Sequence, residues 1–168
     1  MWFNLPLQIK RYVTSQLTVA PTVVEFGVFT SYGHPPLIFE ALQTGEHYIG
    51  VTHNFEQFEK FTKEYKDNHN ISITYLSNPR IFGTNILSES ADLVVFSNSF
   101  HKFINEQSLL SEVHRILKPN GTIAIARFSA ITETVHHFSN HKEVSKYEHS
   151  ILPFEESLGV SVELYKKV

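Results

Sequence analysis

The chain has 168 residues, a formal net charge of −3 and no cysteine. Its length favours one domain, and its 42% hydrophobic and 18% charged residues exclude a disordered chain. The acidic balance argues against a non-specific nucleic-acid binder, and the lack of cysteine excludes disulfides, a cysteine nucleophile and a thiolate zinc site. Glycine is scarce, with only 7 residues, so a glycine-rich ligand-binding loop would have few residues to draw on.

Short β-rich runs alternate with stretches of helical period along the chain. A helical segment with one apolar side is expected within residues 1–20. The predicted strands are 22–27, 47–52, 71–76, 91–96, 122–126 and 160–165. The predicted helices are 35–44, one that begins after Asn54, one that begins after Asn105, and weaker ones at 133–146 and 153–158. Residues 78–90 are predicted as loop.

The segment after the second strand carries a helix start signal and an aromatic stripe. Asn54 is a good N-cap, and Gln57 three residues later completes a capping-box pattern. Four aromatic residues follow at helical spacing, which predicts a stripe that faces the core. They are Phe55, Phe58, Phe61 and Tyr65.

Alternating strands and helices predict a mainly parallel sheet with helices on both faces. Such sheets bind ligands beyond the carboxyl ends of the strands, at the point where the strand order reverses. The loops after strands one, two and four are therefore the expected place for chemistry. Only one strand-like run follows Gly159, which predicts that no further strand pairs beside it. An edge left open there would favour self-pairing into a homo-oligomer.

Two long runs resemble a known family. Residues 91–103 are similar to the fourth-strand segment of class I S-adenosylmethionine-dependent methyltransferases, and residues 109–122 continue that family's next helix and turn. The resemblance covers roughly residues 20–128. It implies an α/β three-layer sandwich with a Rossmann-like, mainly parallel sheet. The whole chain, 1–168, is then one domain, with its core at 21–128 and a less defined part at 129–168.

The resemblance also implies where S-adenosylmethionine would bind. In the first-strand loop Glu25 and Gly27 match the family's acidic residue and first glycine. Phe29 and Ser31 stand where the later glycines are usual, and those glycines let the backbone pass close to the cofactor. A phenylalanine there would fill the cofactor's space or force the loop elsewhere.

The other family positions are changed as well. Thr52 replaces the acidic residue that accepts hydrogen bonds from both ribose hydroxyls, and Asn78 stands near the adenine position. Asn98 and His101 follow the fourth strand, where they would face the transferred methyl group. His101 is a candidate general base, since its ordinary pKa lies near 6.5; a packed loop histidine is the alternative.

A metal site is weighed and not predicted. Glu133, His137 and His141 lie four residues apart in turn and would share one helix face. Without cysteine, and without a fourth ligand, a solvated face explains the row better than zinc does.

Two functions remain open at this point. The first is a divergent S-adenosylmethionine-dependent methyltransferase whose acceptor, a small molecule or a protein, no motif indicates. The second is a non-catalytic methyltransferase-like module that binds a protein partner or an altered ligand. A nicotinamide-dependent dehydrogenase fits poorly, because it needs an acidic residue where Thr52 stands. No export signal or spanning segment is evident, so we expect a cytoplasmic protein without a membrane partner.

Overall fold

The computed structural model describes residues 5–27, 36–77, 83–97, 106–128, 146–152 and 160–168. Helices and strands alternate through most of this part of the chain. In chain order they are α1 Leu5–Thr14, β1 Thr22–Phe26, α2 Pro36–Thr44, β2 His47–Thr52, α3 Phe55–Glu64, β3 Ile71–Tyr75, β4 Ala91–Ser97, α4 Glu106–Ile116, β5 Leu117–Phe128, β6 Tyr147–Leu152 and β7 Val160–Lys167.

The seven strands form one sheet in the order β3-β2-β1-β4-β5-β7-β6. Neighbours from β3 to β5 pair in parallel, whereas β7 runs antiparallel to both β5 and β6. The predicted α/β fold with a mainly parallel sheet is therefore confirmed, with an antiparallel hairpin at one side. The strand order reverses at β1, which lies between β2 and β4, so the crevice expected for a ligand lies beyond the carboxyl ends of these three strands.

Alternate residues of the central strands point to opposite faces of the sheet. Val24 joins a buried cluster with residues of α4, whereas Val23 joins a second cluster with residues of α1, α2 and α3. The short, β-branched sequence of β1 suits this position because both of its faces are covered. Helices α1 to α3 thus pack against one face and α4 packs against the other.

The hairpin of β6 and β7 corrects one prediction. No strand is predicted at 147–152, yet β6 pairs with β7 along its whole length, from Tyr147 opposite Lys167 to Leu152 opposite Val162. Its side chains are mostly exposed on both faces, so no apolar alternation marks it. The last antiparallel strand is present, and β6 is one edge of the sheet.

The turn that the resemblance implies within residues 109–122 is found at 118–121, inside strand β5. Pairing with β4 jumps from Ala91 opposite Leu117 to Leu93 opposite Thr122, so these four residues bulge out of the ladder. Asn120 takes a left-handed φ of 65°, a conformation that asparagine tolerates better than most residues. The Lys118 ammonium binds both carboxylate oxygens of Asp92, each at 2.9 Å.

Other predicted elements have mixed outcomes. Helix α1 confirms the N-terminal helical segment, and the described residues of 83–90 contain neither helix nor strand. The helices predicted at 133–146 and 153–158 lie, but for Lys146, outside the described residues. Within the part that is described, no helix has the length and apolar character needed to cross a membrane.

Candidate functional site

The candidate site lies where β1, β2 and β4 end side by side. The Gly27 amide donates to the Val51 carbonyl at 2.8 Å, which continues the ladder one residue beyond β1. Beneath this edge the rings of Phe26 and Phe96 stack with centroids 4.9 Å apart, and both are fully buried. The stacked pair gives the strand ends a rigid apolar floor.

Gly27 has the backbone conformation that requires glycine. Its φ is 79°, in the left-handed region that a side chain resists. Here the chain leaves β1 for the connection to α2. The family glycine that the sequence retains is thus the residue that permits this turn.

Glu25 lies two residues earlier and is only 5% exposed. Its neighbours in the sheet are Gly50 on β2 and Val95 on β4. Burial raises the pKa of the Glu25 carboxyl to about 7, and the nearby Tyr48 hydroxyl offsets part of that rise. Glu25 Oε2 and the Tyr48 hydroxyl are both buried, and neither has a hydrogen-bond partner of good geometry in the described structure. The first strand thus ends beside an acceptor oxygen that is not satisfied.

Thr52 ends β2 and is turned into the protein, with 1% of its surface exposed. Its hydroxyl donates to Gln57 Oε1 and accepts from the Asn54 amide, both at 3.0 Å. Asn54 Oδ1 accepts from the Gln57 amide at 3.1 Å, so the predicted N-cap is confirmed. The reciprocal half of the capping box is absent, because Thr52 takes the Asn54 amide that Gln57 would have bound. A ribose hydroxyl would have to displace one of these bonds to reach Thr52.

An aromatic cluster beside Thr52 was not predicted as part of the site. Phe55 and Phe58, in the first turn of α3, lie 5.4 Å and 5.6 Å from the ring of Tyr75 at the end of β3. The predicted core stripe holds only for Phe61 and Tyr65, since Phe55 is 53% exposed. The first turn of α3 packs on Tyr75 and lies outside both buried clusters. Its rings offer an apolar surface at the carboxyl edge.

The remaining predicted site residues cannot be placed. Phe29, Asn78, Asn98 and His101 lie outside the described residues, as do the weighed metal ligands Glu133, His137 and His141. The ranges that are described contain no cluster of three or more histidine, aspartate or glutamate side chains suited to a metal ion. The structure therefore brings together Glu25, Gly27 and Thr52 at one edge of the sheet.

Known structures share this fold. A SAM-dependent methyltransferase from Aquifex aeolicus is 12% identical, with a TM-score of 0.71 over 98% of this chain and 90% of that one. A TehB-like SAM-dependent methyltransferase from Corynebacterium glutamicum is 14% identical, with a TM-score of 0.69 over 99% and 94%. A methyltransferase from Pyrococcus furiosus is 16% identical, with a TM-score of 0.63 over 96% and 82%. At these identities the likeness shows the fold alone.

Sequence comparison is more specific about the family. No curated protein sequence matches the chain. A family model described as "Methyltransferase domain" matches residues 30–125, which is more than half of the chain. The chain therefore belongs to the methyltransferase-domain family, and it has the fold of the SAM-dependent methyltransferases named above.

Proposed function

We propose that this protein is a small, divergent methyltransferase that binds S-adenosylmethionine on a class I three-layer sandwich. The observation that carries the proposal is the acid–glycine pair at the end of β1. Gly27 has the left-handed φ that lets the chain turn at this edge, and Glu25, two residues earlier, has a buried carboxyl oxygen without a hydrogen-bond partner of good geometry. A buried polar atom without a partner is costly unless something binds it.

The described residues at the end of β1 suit the cofactor, whereas those at the end of β2 would make fewer hydrogen bonds to it. Glu25 would accept from a donor of the cofactor, and Gly27 would let the backbone approach it. Thr52 offers the ribose one hydroxyl instead of a carboxylate, and that hydroxyl already binds Gln57 and Asn54. The rings of Phe55 and Tyr75 provide a surface suited to a planar base.

When bound, S-adenosylmethionine supplies an activated methyl group on a sulfonium centre. Transfer depends chiefly on alignment of that group with the acceptor, so no dedicated acid or base is required. Asn78 is proposed at the adenine, Asn98 beside the methyl group, and His101 as a general base that takes the acceptor's proton. The acceptor is a small molecule or a protein.

One observation favours the second candidate, a non-catalytic module that binds a protein partner or an altered ligand. The β2 end has no acidic side chain, and its only hydroxyl is used within the α3 cap. A site without this carboxylate would bind S-adenosylmethionine weakly or not at all.

Titration with S-adenosylhomocysteine separates the two candidates. We expect calorimetry to give binding by the wild-type protein that is weak but saturable below about 1 mM. Thr52→Asp restores a ribose acceptor and should tighten binding about tenfold, since a hydrogen bond to a charged group contributes about 1.5–3 kcal/mol. Asn54→Asp adds the same charge two residues later while keeping a good N-cap, so its affinity should stay within about twofold.

A wild-type protein that is folded, as judged by circular dichroism, and yet shows no response to millimolar ligand would refute the methyltransferase proposal. If Thr52→Asp and Asn54→Asp bound S-adenosylhomocysteine with equal affinity, the proposed ribose position would be refuted instead.

A further inference from the structure

A cleft of about 450 Å³ lies on the α4 side of the sheet, away from the carboxyl ends of the strands. His47, Ser72 and Thr74 line it from β2 and β3, and Asn85, Ile86 and Leu87 line it from the loop of residues 83–90. We call it the β3 cleft. Its volume is within the range of pockets that hold ligands or side chains of a partner. It adjoins the start of β2 and is therefore distinct from the candidate cofactor site.

The cleft exists because a loop stands where a helix would normally cover the sheet. Parallel sheets usually have helices on both faces, but residues 83–90 of the β3–β4 connection are not helical. Arg115 of α4 holds this loop, donating to the Ile86 carbonyl at 2.7 Å and to Ser88 Oγ at 2.8 Å. On the other side, the Thr74 hydroxyl of β3 donates to Asn85 Oδ1 of the loop at 3.2 Å. The loop is therefore fixed against α4 and does not collapse onto β3.

Among the strands that the structure describes, β3 also lies at an edge of the sheet, since its one strand neighbour there is β2. Edge strands are commonly protected from pairing by lysine, proline or a bulge. The sequence of β3, ISITY, contains no proline and no charged residue. The opposite edge differs, because β6 carries Glu148. On the outer side the Ile71 amide donates to the Asn68 carbonyl, and no described strand pairs with the rest of that side.

The chemistry of the lining indicates what would bind. The described residues that line the β3 cleft include no aspartate, glutamate, lysine or arginine, so a charged side chain placed against them would lose water without gaining an opposite charge. Leu87, at the rim, is 76% exposed, and Ile86 forms part of the apolar floor. An uncharged, partly apolar chain complements this surface.

We propose that the β3 edge is a docking site for an extended, uncharged segment of another protein. The segment would pair with β3 as an additional strand, and every second side chain would enter the β3 cleft. In strand addition the backbone hydrogen bonds supply affinity and the side-chain pockets supply specificity. This proposal does not depend on cofactor binding.

The test uses the isotope-labelled full-length protein and a blocked peptide of alternating threonine and valine with one lysine at each end. With the peptide at about 1 mM, we expect hydrogen exchange of the outward amides of β3 to slow at least tenfold. Ser72→Lys places a charge on the exposed edge and should weaken binding at least tenfold. Glu148→Lys, on the opposite edge, is the matched control and should bind like the wild-type protein.

Several results would overturn the proposal. One is that the peptide slows hydrogen exchange at β6 instead of β3. Another is that the Ser72→Lys variant, with unchanged circular dichroism, still binds the peptide, or that a peptide with alternate amides methylated binds equally well. No protection of β3 at that peptide concentration would also overturn it. Protection of β3 that grows with protein concentration alone would identify a second copy of this chain as the occupant instead. Titration of the Ser72→Lys variant with S-adenosylhomocysteine reports separately on the cofactor site.

Discussion

Glu25 is a carboxyl group held where its charged form is unfavourable. It is almost completely buried, and one of its oxygens has no partner of good geometry. Burial raises its pKa from 4.5 to about 7. Burial and the nearby Glu25 charge also raise the pKa of Tyr48 well above its ordinary value. Both groups are therefore driven toward their neutral forms at neutral pH.

This pKa predicts a stability that falls as the pH rises. The folded protein keeps a proton on Glu25 up to about pH 7, whereas the unfolded chain loses it near pH 4.5. Between these values the folded state binds more protons, so the free energy of unfolding decreases with pH. Glu25→Gln removes this titration. We expect the stability of the wild-type protein relative to Glu25→Gln to fall by about 2–3 kcal/mol between pH 4.5 and pH 8.

Urea denaturation of both proteins at the two pH values measures this difference, and the other titrating groups cancel in the comparison. Tyr48→Phe serves as the control, since it leaves the carboxyl in place and removes only the hydroxyl that offsets part of the rise in the Glu25 pKa. Its stability should fall with pH at least as much as that of the wild-type protein. A constant difference between the wild-type protein and Glu25→Gln would show that Glu25 ionises normally.

The sequence indicated part of this site and missed the rest for a physical reason. Gly27 was predicted from its family position, and its positive φ explains why glycine is kept there. The engagement of Thr52 was not predictable, because the strand-end hydroxyl competes with Gln57 for the same cap amide. That competition depends on the angle at which α3 leaves β2, which residue spacing does not specify. The ribose contact of Thr52 stays a prediction.

At the scale of elements, prediction succeeded where apolar residues are buried and failed where they are not. Strand β2 and the end of α2 were predicted to the residue, since each has a buried pattern and a clear terminator such as Gly45, whose φ is 73°. Strand β6 was missed because its exposed residues are held by pairing with β7. The aromatic stripe of α3 was predicted too long, since Phe55 is exposed and belongs to neither buried cluster.

Helix α1 is held to the domain by a buried cation as well as by apolar packing. Lys10 is 5% exposed, and its ammonium lies 2.5 Å from Glu46 Oε2 and 3.3 Å from Glu40 Oε2. The second contact is electrostatic, since this Glu40 oxygen has no hydrogen bond of good geometry. Arg11 binds the other oxygen of Glu40 at 3.2 Å, but its side chain is 65% exposed. Two adjacent cations therefore share one carboxylate in very different surroundings.

This difference predicts unequal effects of the same substitution. Lys10→Met leaves two mostly buried carboxylates without their main counter-charge and should lower the free energy of unfolding by about 2 kcal/mol. Arg11→Met removes an exposed pair and should cost less than about 0.5 kcal/mol. Urea denaturation measures both. Equal effects would mean that α1 is held by Ile9 and its apolar neighbours alone.

Across the whole molecule, the run most similar to the family serves the scaffold. Glu112 accepts from Arg115 and from Thr84, and Lys118 binds Asp92. Burial opposes ionisation of Glu112, but its bonds to Arg115 and Thr84 lower its pKa overall. These contacts fasten the β3–β4 loop and the start of β4, away from the carboxyl edge where the site lies. The fold was therefore recognisable from residues that do not touch a cofactor.

The two hydrophobic clusters lie on opposite faces of the sheet, and the central strands contribute side chains to both. Val94 belongs to the cluster with α4, and Val95 belongs to the cluster with α1, α2 and α3. Both are fully buried, and they are adjacent on β4, the strand between β1 and β5. Loss of either cluster would expose one face of β4 and remove support from the strand that holds the other. We therefore expect the two faces to unfold together.

Val94→Ala and Val95→Ala test this expectation as a matched pair. Each removes two methyl groups from a buried site and should lower the free energy of unfolding by about 2–3 kcal/mol. Because we expect unfolding to be cooperative, far-ultraviolet circular dichroism and tyrosine fluorescence should report the same urea midpoint for each variant. The dependence of the free energy of unfolding on urea concentration should equal that of the wild-type protein. Hydrogen exchange of α2 and α4 should accelerate in both variants, since each helix would open only with the whole sheet. If Val94→Ala loosened only α4 and Val95→Ala only α2, the two faces would be independent units, and one cooperative domain would be the wrong description.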